Sequence, residues 1–156
     1  VGPTPVMAIG ATDQHSQVQL YNEGPKDKYV LFVVANQFRE DPTIPTLFSG
    51  HPSCDYVQGK KLSTVLQALK QGTEEALTTH GRPNATISLP EINARTMGAL
   101  LYTLEMATAM AGTLYGVNPF DQPGVEAGKR AAFSRLGRSG YPPPSSPPEN
   151  EGYIVR

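Results

Sequence analysis

The sequence has a single cysteine, Cys54, and no tryptophan. One thiol cannot close an internal disulfide, so the chain must hold together by packing and hydrogen bonding, as proteins of a reducing cytosol do. Charge of either sign is not in excess: 13 basic against 14 acidic residues leave a formal net charge of −1. Without a basic footprint, nucleic-acid binding is set aside. No apolar run approaches the roughly 20 residues that span a bilayer. The start of the chain lacks a basic-then-apolar export signal. The expectations are therefore no nucleic acid, no membrane and a cytoplasmic address. Glycine-rich phosphate loops of the P-loop or dinucleotide type are missing as well. His51 and Cys54 stand alone on a loop and fall short of any zinc pattern. Neither a metal nor a cofactor is expected.

What remains is a chain of 156 residues, 38% of them hydrophobic, which suffices for one domain with a core. It opens at Val1 and enters an apolar run, Pro5-Val6-Met7-Ala8-Ile9, almost at once. Natural domains can open this way, and a segment cut from a longer polypeptide would do so as readily. At the other end, residues 137–156 are rich in proline, serine and glycine and carry no hydrophobic periodicity. Such a stretch buries too little apolar surface to offset its ordering entropy. It reads as a flexible tail beyond a domain of residues 1–136. Its Pro144-Ser145-Ser146-Pro147 matches a PxxP ligand pattern but is read as part of the flexible end. The sequon-like Asn84-Ala85-Thr86 is read as structural.

Between these limits, strands and helices alternate. Val6–Ile9 reads as a short strand, and Thr12-Asp13 can cap a helix through Tyr21. Tyr29–Ala35 is nearly continuous in β-branched and aromatic residues, as a strand buried on both faces is. Leu62, Val65, Leu66, Leu69, Ala76 and Leu77 recur at helical spacing and predict an amphipathic helix ending near Gly81. Ala85–Leu89 predicts a third strand. Asn93 can cap a helix from Ala94 to Tyr115, with Gly116 as its stop. Its apolar face runs from Met97 through Leu104 to Leu114, and the many Ala, Gly and Thr residues around it predict close packing on several sides. A last helix is predicted from Pro123 to Leu136. The fold class is α/β with a mainly parallel sheet.

Three places combine reactive side chains with structural punctuation. His15 follows Gly10-Ala11-Thr12-Asp13-Gln14, where a strand is expected to end and a helix to begin. Ligands of open α/β sheets bind outside the carboxyl ends of strands, and a helix amino terminus adds unpaired N–H groups. In that first turn a cation is disfavoured, and a neutral imidazole suits proton transfer. The structural alternative is a ring tied to a nearby carbonyl. In the final helix, Gln122, Glu126 and Lys129 fall on one face, with Gln122 and Lys129 roughly 10 Å apart along the axis. The structural alternative is a solvated helix in which Glu126 pairs with Arg130. Pro90-Glu91-Ile92-Asn93 is the third place, where Asn93 is explained as a cap and only Glu91 is left over. Residue types alone do not decide among these readings.

Two stretches resemble the glucose-6-phosphate isomerase family in its bacterial form. Gly112 to Lys129, centred on Phe120-Asp121-Gln122-Pro123-Gly124-Val125-Glu126-Ala127-Gly128-Lys129, is similar to the family's carboxy-terminal signature F-D-Q-x-G-V-E-x-G-K. Gly10-Ala11-Thr12-Asp13-Gln14-His15 resembles its G-x-x-x-Q-H segment, and Gly81-Arg82-Pro83-Asn84 and Leu89-Pro90-Glu91 also fit. The resemblance runs from Thr4 to about Tyr141. It implies a second sugar-isomerase (SIS) domain, a doubly wound α/β layer, followed by a terminal helix. His15 would assist opening of the sugar ring, moving a proton at the ring oxygen or the C1 hydroxyl. Lys129 would stabilise charge at the ring oxygen, and Gln122 would line the same pocket. The implied partners are glucose 6-phosphate or fructose 6-phosphate, an amino-terminal SIS domain and, in the full-length enzyme, a second copy making a homodimer.

The sequence departs from the family in one respect. The family's catalytic base is a glutamate in an M-E-S-x-G-K-like segment, and the substrate phosphate sits in a Ser/Thr-rich loop; neither occurs here. The isolated chain is therefore expected to be inactive. A stand-alone SIS-type module that binds a sugar phosphate without catalysis is the alternative function.

Overall fold

The computed structural model describes residues 2–142. In chain order the elements are α1 (Gln14–Glu23), β1 (Val30–Gln37), α2 (Pro52–Asp55), α3 (Leu62–Thr79), β2 (Asn84–Glu91), α4 (Ala94–Tyr115) and α5 (Pro123–Arg135). The chain divides into two units, Val1–Thr103 and Leu104–Arg156, with the boundary inside α4.

The first unit is organised by β1 and β2, which pair in parallel with Val30 opposite Asn84 and Ala35 opposite Leu89. Parallel neighbours need a long crossover, and α3 supplies it. β1 is built from Val30, Leu31, Phe32, Val33 and Val34, residues that suit a pleated surface. Their burial alternates: Val30, Phe32 and Val34 are half-buried, whereas Leu31 and Val33 remain 43% and 48% exposed. α3 lies on the covered face. Its Gln67 Nε2 donates to Ala35 O at 3.1 Å, its Lys70 ammonium sits 5.3 Å from the centre of the Phe32 ring, and its Glu74 accepts from Thr86 Oγ1 at 2.8 Å. The expected burial of this strand on both faces is thus not found. Continuous apolar sequence records what the strand is built to bury, and among the described residues only one face has a cover. On the other face, Ile87 and Leu89 of β2 look toward Thr96 and Leu100 of α4 across a hollow of about 300 Å³.

Leu77 of α3 is the largest fully buried side chain of the described residues, at 1% exposure. One turn later the helix stops at Gly81, where φ is +63°. Gly81 N donates to Thr78 O at 2.9 Å and Arg82 N to Leu77 O at 2.8 Å, a Schellman stop that needs the left-handed glycine. The start of α3 is capped from a distance. Asp41 accepts from Ser63 Oγ and Ser63 N at 2.6 and 3.0 Å, and these bonds, with Lys61 adding its charge, hold the Asp41 carboxyl below its ordinary range.

α4 begins as the sequence predicts. Asn93 Oδ1 accepts from Thr96 N at 2.9 Å, and Thr96 Oγ1 accepts from Asn93 N at 3.1 Å. It ends at Gly116 with φ +65°, where Val117 N donates to Gly112 O at 2.9 Å. Gly112 is buried under Pro119; a Cβ there would meet the proline ring at 2.7 Å. The packing expected on several sides of α4 is not found among the described residues, for Leu101, Leu104 and Met110 are exposed and Leu114 is 86% exposed.

Two further expectations are corrected. Val6–Ile9 is not a strand, because no ladder partner faces it among the described residues. Asp13 does not cap α1 with its side chain; its carboxylate turns back to accept from Ile9 N at 2.6 Å. After α5, residues 137–142 return to the helix. Ser134 Oγ donates to Pro142 O at 2.7 Å, Tyr141 meets Phe133 edge-on, and the Arg138 guanidinium lies 4.3 Å from the Phe133 ring centre. The rest of the expected tail, with its PxxP match, lies outside the described residues.

Candidate functional site

His15 is the second residue of α1, in the first turn as expected. A helix of polar character, QHSQVQLYNE, starts here because Gly10 to Asp13 turn the chain; Asp13 N donates to Ile9 O at 2.8 Å. The imidazole is exposed and lines an open hollow of about 440 Å³ between α1 and α3, whose other walls include Val18, Leu69, Gly72 and Thr73. Beside it, Gln14 Nε2 donates to Thr73 Oγ1 at 2.6 Å, and Thr73 Oγ1 donates to Leu69 O at 2.9 Å. Among the described residues no carbonyl ties the His15 ring; His80 shows that arrangement, with Nδ1 2.8 Å from Ala76 O. An exposed imidazole on an ordered first turn is open to contact with a ligand.

Gln122 and Lys129 belong to the second unit. Gln122 immediately precedes α5 and presents its carbonyl to Val125 N at 3.0 Å, while its own N–H donates to Asp121 Oδ1 at 2.8 Å. Pro123 occupies the first helical position, where its missing N–H leaves nothing unsatisfied. Lys129 Nζ donates to Glu126 Oε1 at 2.7 Å, both side chains being exposed. Glu126 therefore pairs with Lys129 at i,i+3 and not with Arg130, as the solvated-helix alternative had it. Helix neighbours of this kind contribute only about 0.5 kcal/mol, so the ammonium can leave Glu126 for a better acceptor.

Glu91 accepts from Asn93 Nδ2 at 2.6 Å and so supports the α4 cap. His51 precedes α2 and offers its carbonyl to Cys54 N at 2.8 Å. Among the described residues no group of at least three His, Cys, Asp or Glu side chains could hold a metal ion, and no helix is long and apolar enough to cross a membrane. Asn84 and Thr86 of the sequon-like triplet are both engaged, Asn84 Nδ2 donating to Thr78 Oγ1 at 3.1 Å and Thr86 to Glu74.

Sequence reasoning missed the hold that α1 owes to Arg82. It is only 8% exposed, and its guanidinium donates to Asn22 O and Gly24 O at the end of α1. The only signal was one arginine between Gly81 and Pro83, with nothing to tie it to a helix 60 residues away.

The phosphoglucose isomerase family model matches residues 8–138. The chain belongs to the phosphoglucose isomerase family. It is 49% identical over 140 residues to a glucose-6-phosphate isomerase of Rubrobacter xylanophilus, a match that covers 90% of this chain and 32% of that protein. A probable glucose-6-phosphate isomerase of Halobacterium salinarum is 43% identical over 155 residues, 99% of this chain and 34% of that protein. A crystal structure of a hypothetical protein from Thermus thermophilus superposes with a TM-score of 0.81 at 43% identity, over 87% of this chain and 32% of that one. The chain thus spans about a third of the length of these relatives.

Proposed function

We propose that this chain is the carboxy-terminal part of an aldose–ketose isomerase that interconverts glucose 6-phosphate and fructose 6-phosphate, a reaction of glycolysis and gluconeogenesis in the cytoplasm. Membership of the phosphoglucose isomerase family over residues 8–138 carries the reading. His15 moves the proton at the ring oxygen or the C1 hydroxyl as the pyranose opens. Its exposure on an ordered helix start supports that role. Lys129 exchanges its surface partner Glu126 for the ring oxygen, where charge develops, and Gln122, at the turn before α5, lines the same pocket. Neither step calls for a cofactor.

The proton transfer between C1 and C2 passes through an enediol and needs a positioned carboxylate. In this reading that glutamate and the phosphate-gripping loop lie in an amino-terminal SIS domain outside this sequence. The same domain would cover the exposed Leu101, Leu104 and Leu114 of α4 and complete a doubly wound layer around β1 and β2. Residues 1–136 are then the second SIS domain with its terminal helix, and the full-length enzyme a homodimer.

The isolated chain is therefore inactive, since a general base alone contributes about 10² to 10⁴-fold and loss of the phosphate anchor removes orientation as well. A coupled dehydrogenase assay tests this on the purified chain beside a full-length polypeptide carrying the same segment. Activity confined to the full-length protein is expected. Full turnover by the chain alone would overturn the division of labour.

A further inference from the structure

We propose that Arg82 and Thr73 are positioning residues for His15, acting by clamping α1 at its two ends. The proposal rests on the ring-opening reading of His15 and adds to it how the ring is held in place.

A helix is ordinarily fixed by burying an apolar face. α1 has no buried residue. Val18 and Tyr21 are only half-buried against the rest of the unit, so polar contacts share in fixing the helix, and the structure provides one at each end. At the carboxyl end, Arg82 reaches back from the α3–β2 corner: Nε and Nη2 donate to Asn22 O at 3.0 and 2.5 Å, and Nη2 also donates to Gly24 O at 2.8 Å. These carbonyls lie where a helix leaves acceptors without partners and where its dipole favours a cation. Few side chains except arginine can span two carbonyls with fixed geometry. At the amino end, Gln14 Nε2 donates to Thr73 Oγ1 at 2.6 Å, one residue from the imidazole.

The lever arm sets the size of the effect. His15 lies seven residues, about 10 Å, along the axis from Asn22. A tilt of about 6° at the clamp would therefore move the imidazole by about 1 Å, and misplacement of that size can cost about 10²-fold in rate. Because His15 acts only while the ring is closed, the loss should be confined to ring-closed sugar. A merely structural role would not produce that selectivity.

Arg82→Met, Arg82→Lys and Thr73→Val are to be compared with His15→Ala in a full-length polypeptide carrying this segment. Turnover is measured on ring-closed and on open-chain sugar phosphate. Arg82→Met and Thr73→Val should each lose about 10- to 100-fold with ring-closed sugar and less than about threefold with the open chain. Arg82→Lys, which keeps the charge but reaches one carbonyl, should fall between wild type and Arg82→Met. In a His15→Ala background Thr73→Val should cost nothing further in ring opening. Should Arg82→Met fail to fold, Thr73→Val, which removes the hydroxyl's bonds to Gln14 and to Leu69 O and keeps the side-chain shape, decides the matter. Equal losses on both substrates, or no loss while His15→Ala shows the split, would overturn the clamp alone. Full ring-closed turnover by His15→Ala would overturn the ring-opening reading and the clamp with it.

Discussion

Replacing Leu77 by alanine tests where the first unit keeps its core. Leu77 is 1% exposed and sits where α3 turns into its glycine stop. Its backbone carbonyl accepts from Arg82 N at 2.8 Å, a bond that truncating the side chain leaves in place. The cost should therefore come from packing. Deleting a buried leucine side chain costs about 2–5 kcal/mol, the upper part arising when the site cannot collapse. Leu77 is the one buried residue of α3, so little close-packed structure surrounds the gap and the lower part of that range applies. We expect about 2–3 kcal/mol. With a urea dependence of about 1–3 kcal/mol per molar, the unfolding midpoint of this chain should fall by about 1 M or more, followed by circular dichroism. Leu114→Ala, at an 86% exposed position, is the control and should shift stability by less than about 0.5 kcal/mol. Similar shifts for the two variants would refute the assignment of the core to α3.

Asn93→Ala should destabilise the start of α4 by about 1 kcal/mol, because it removes the 2.9 Å acceptor of Thr96 N; amide exchange of Thr96 would report it, and unchanged protection would contradict it. The Glu74 carboxyl is held below its ordinary value of 4.5, first by the Lys70 ammonium and then by the Thr86 hydroxyl. A depressed folded-state value means its stabilising contribution is present above pH 4.5 and is lost as pH falls through the lower folded value. Glu74→Gln should thus be less stable than wild type near neutral pH and converge with it in acid; a gap that stays constant in thermal scans across that range would rule the pairing out. Lys129→Met, in a full-length polypeptide, should slow turnover on ring-closed sugar more than on open-chain sugar, because methionine keeps the stem and removes the charge. Equal slowing would place the ammonium elsewhere in the reaction.

The alternation of strand and helix was legible because each signal was local. Asn93 and Gly116 bracket α4 at the expected residues, since a cap and a left-handed stop act within one turn. Gly81 ends α3 for the same reason. What failed depended on partners distant in sequence. Val6–Ile9 has strand composition but no ladder to join among the described residues, and β1 has the sequence of a strand covered twice while only α3 covers it there. The surface pair of Glu126 went to Lys129 because i,i+3 and i,i+4 neighbours are both within reach. At the site, His15 could be singled out by its place in a turn, and Gln122 and Lys129 by helical spacing. Their roles came from resemblance, not from residue type. Arg82 entered only as part of the family-like Gly81-Arg82-Pro83-Asn84; its hold on α1 was not legible, as its partners are backbone carbonyls that leave no mark on the sequence.

The central claim is that His15 moves the proton that opens the sugar ring. The most direct measurement is the turnover of His15→Ala, in a full-length polypeptide carrying this segment, on ring-closed and on open-chain glucose 6-phosphate. The account predicts a loss of about 10²-fold or more on the closed ring with the open-chain rate largely kept. Equal rates of loss on the two forms, or none on either, would contradict it.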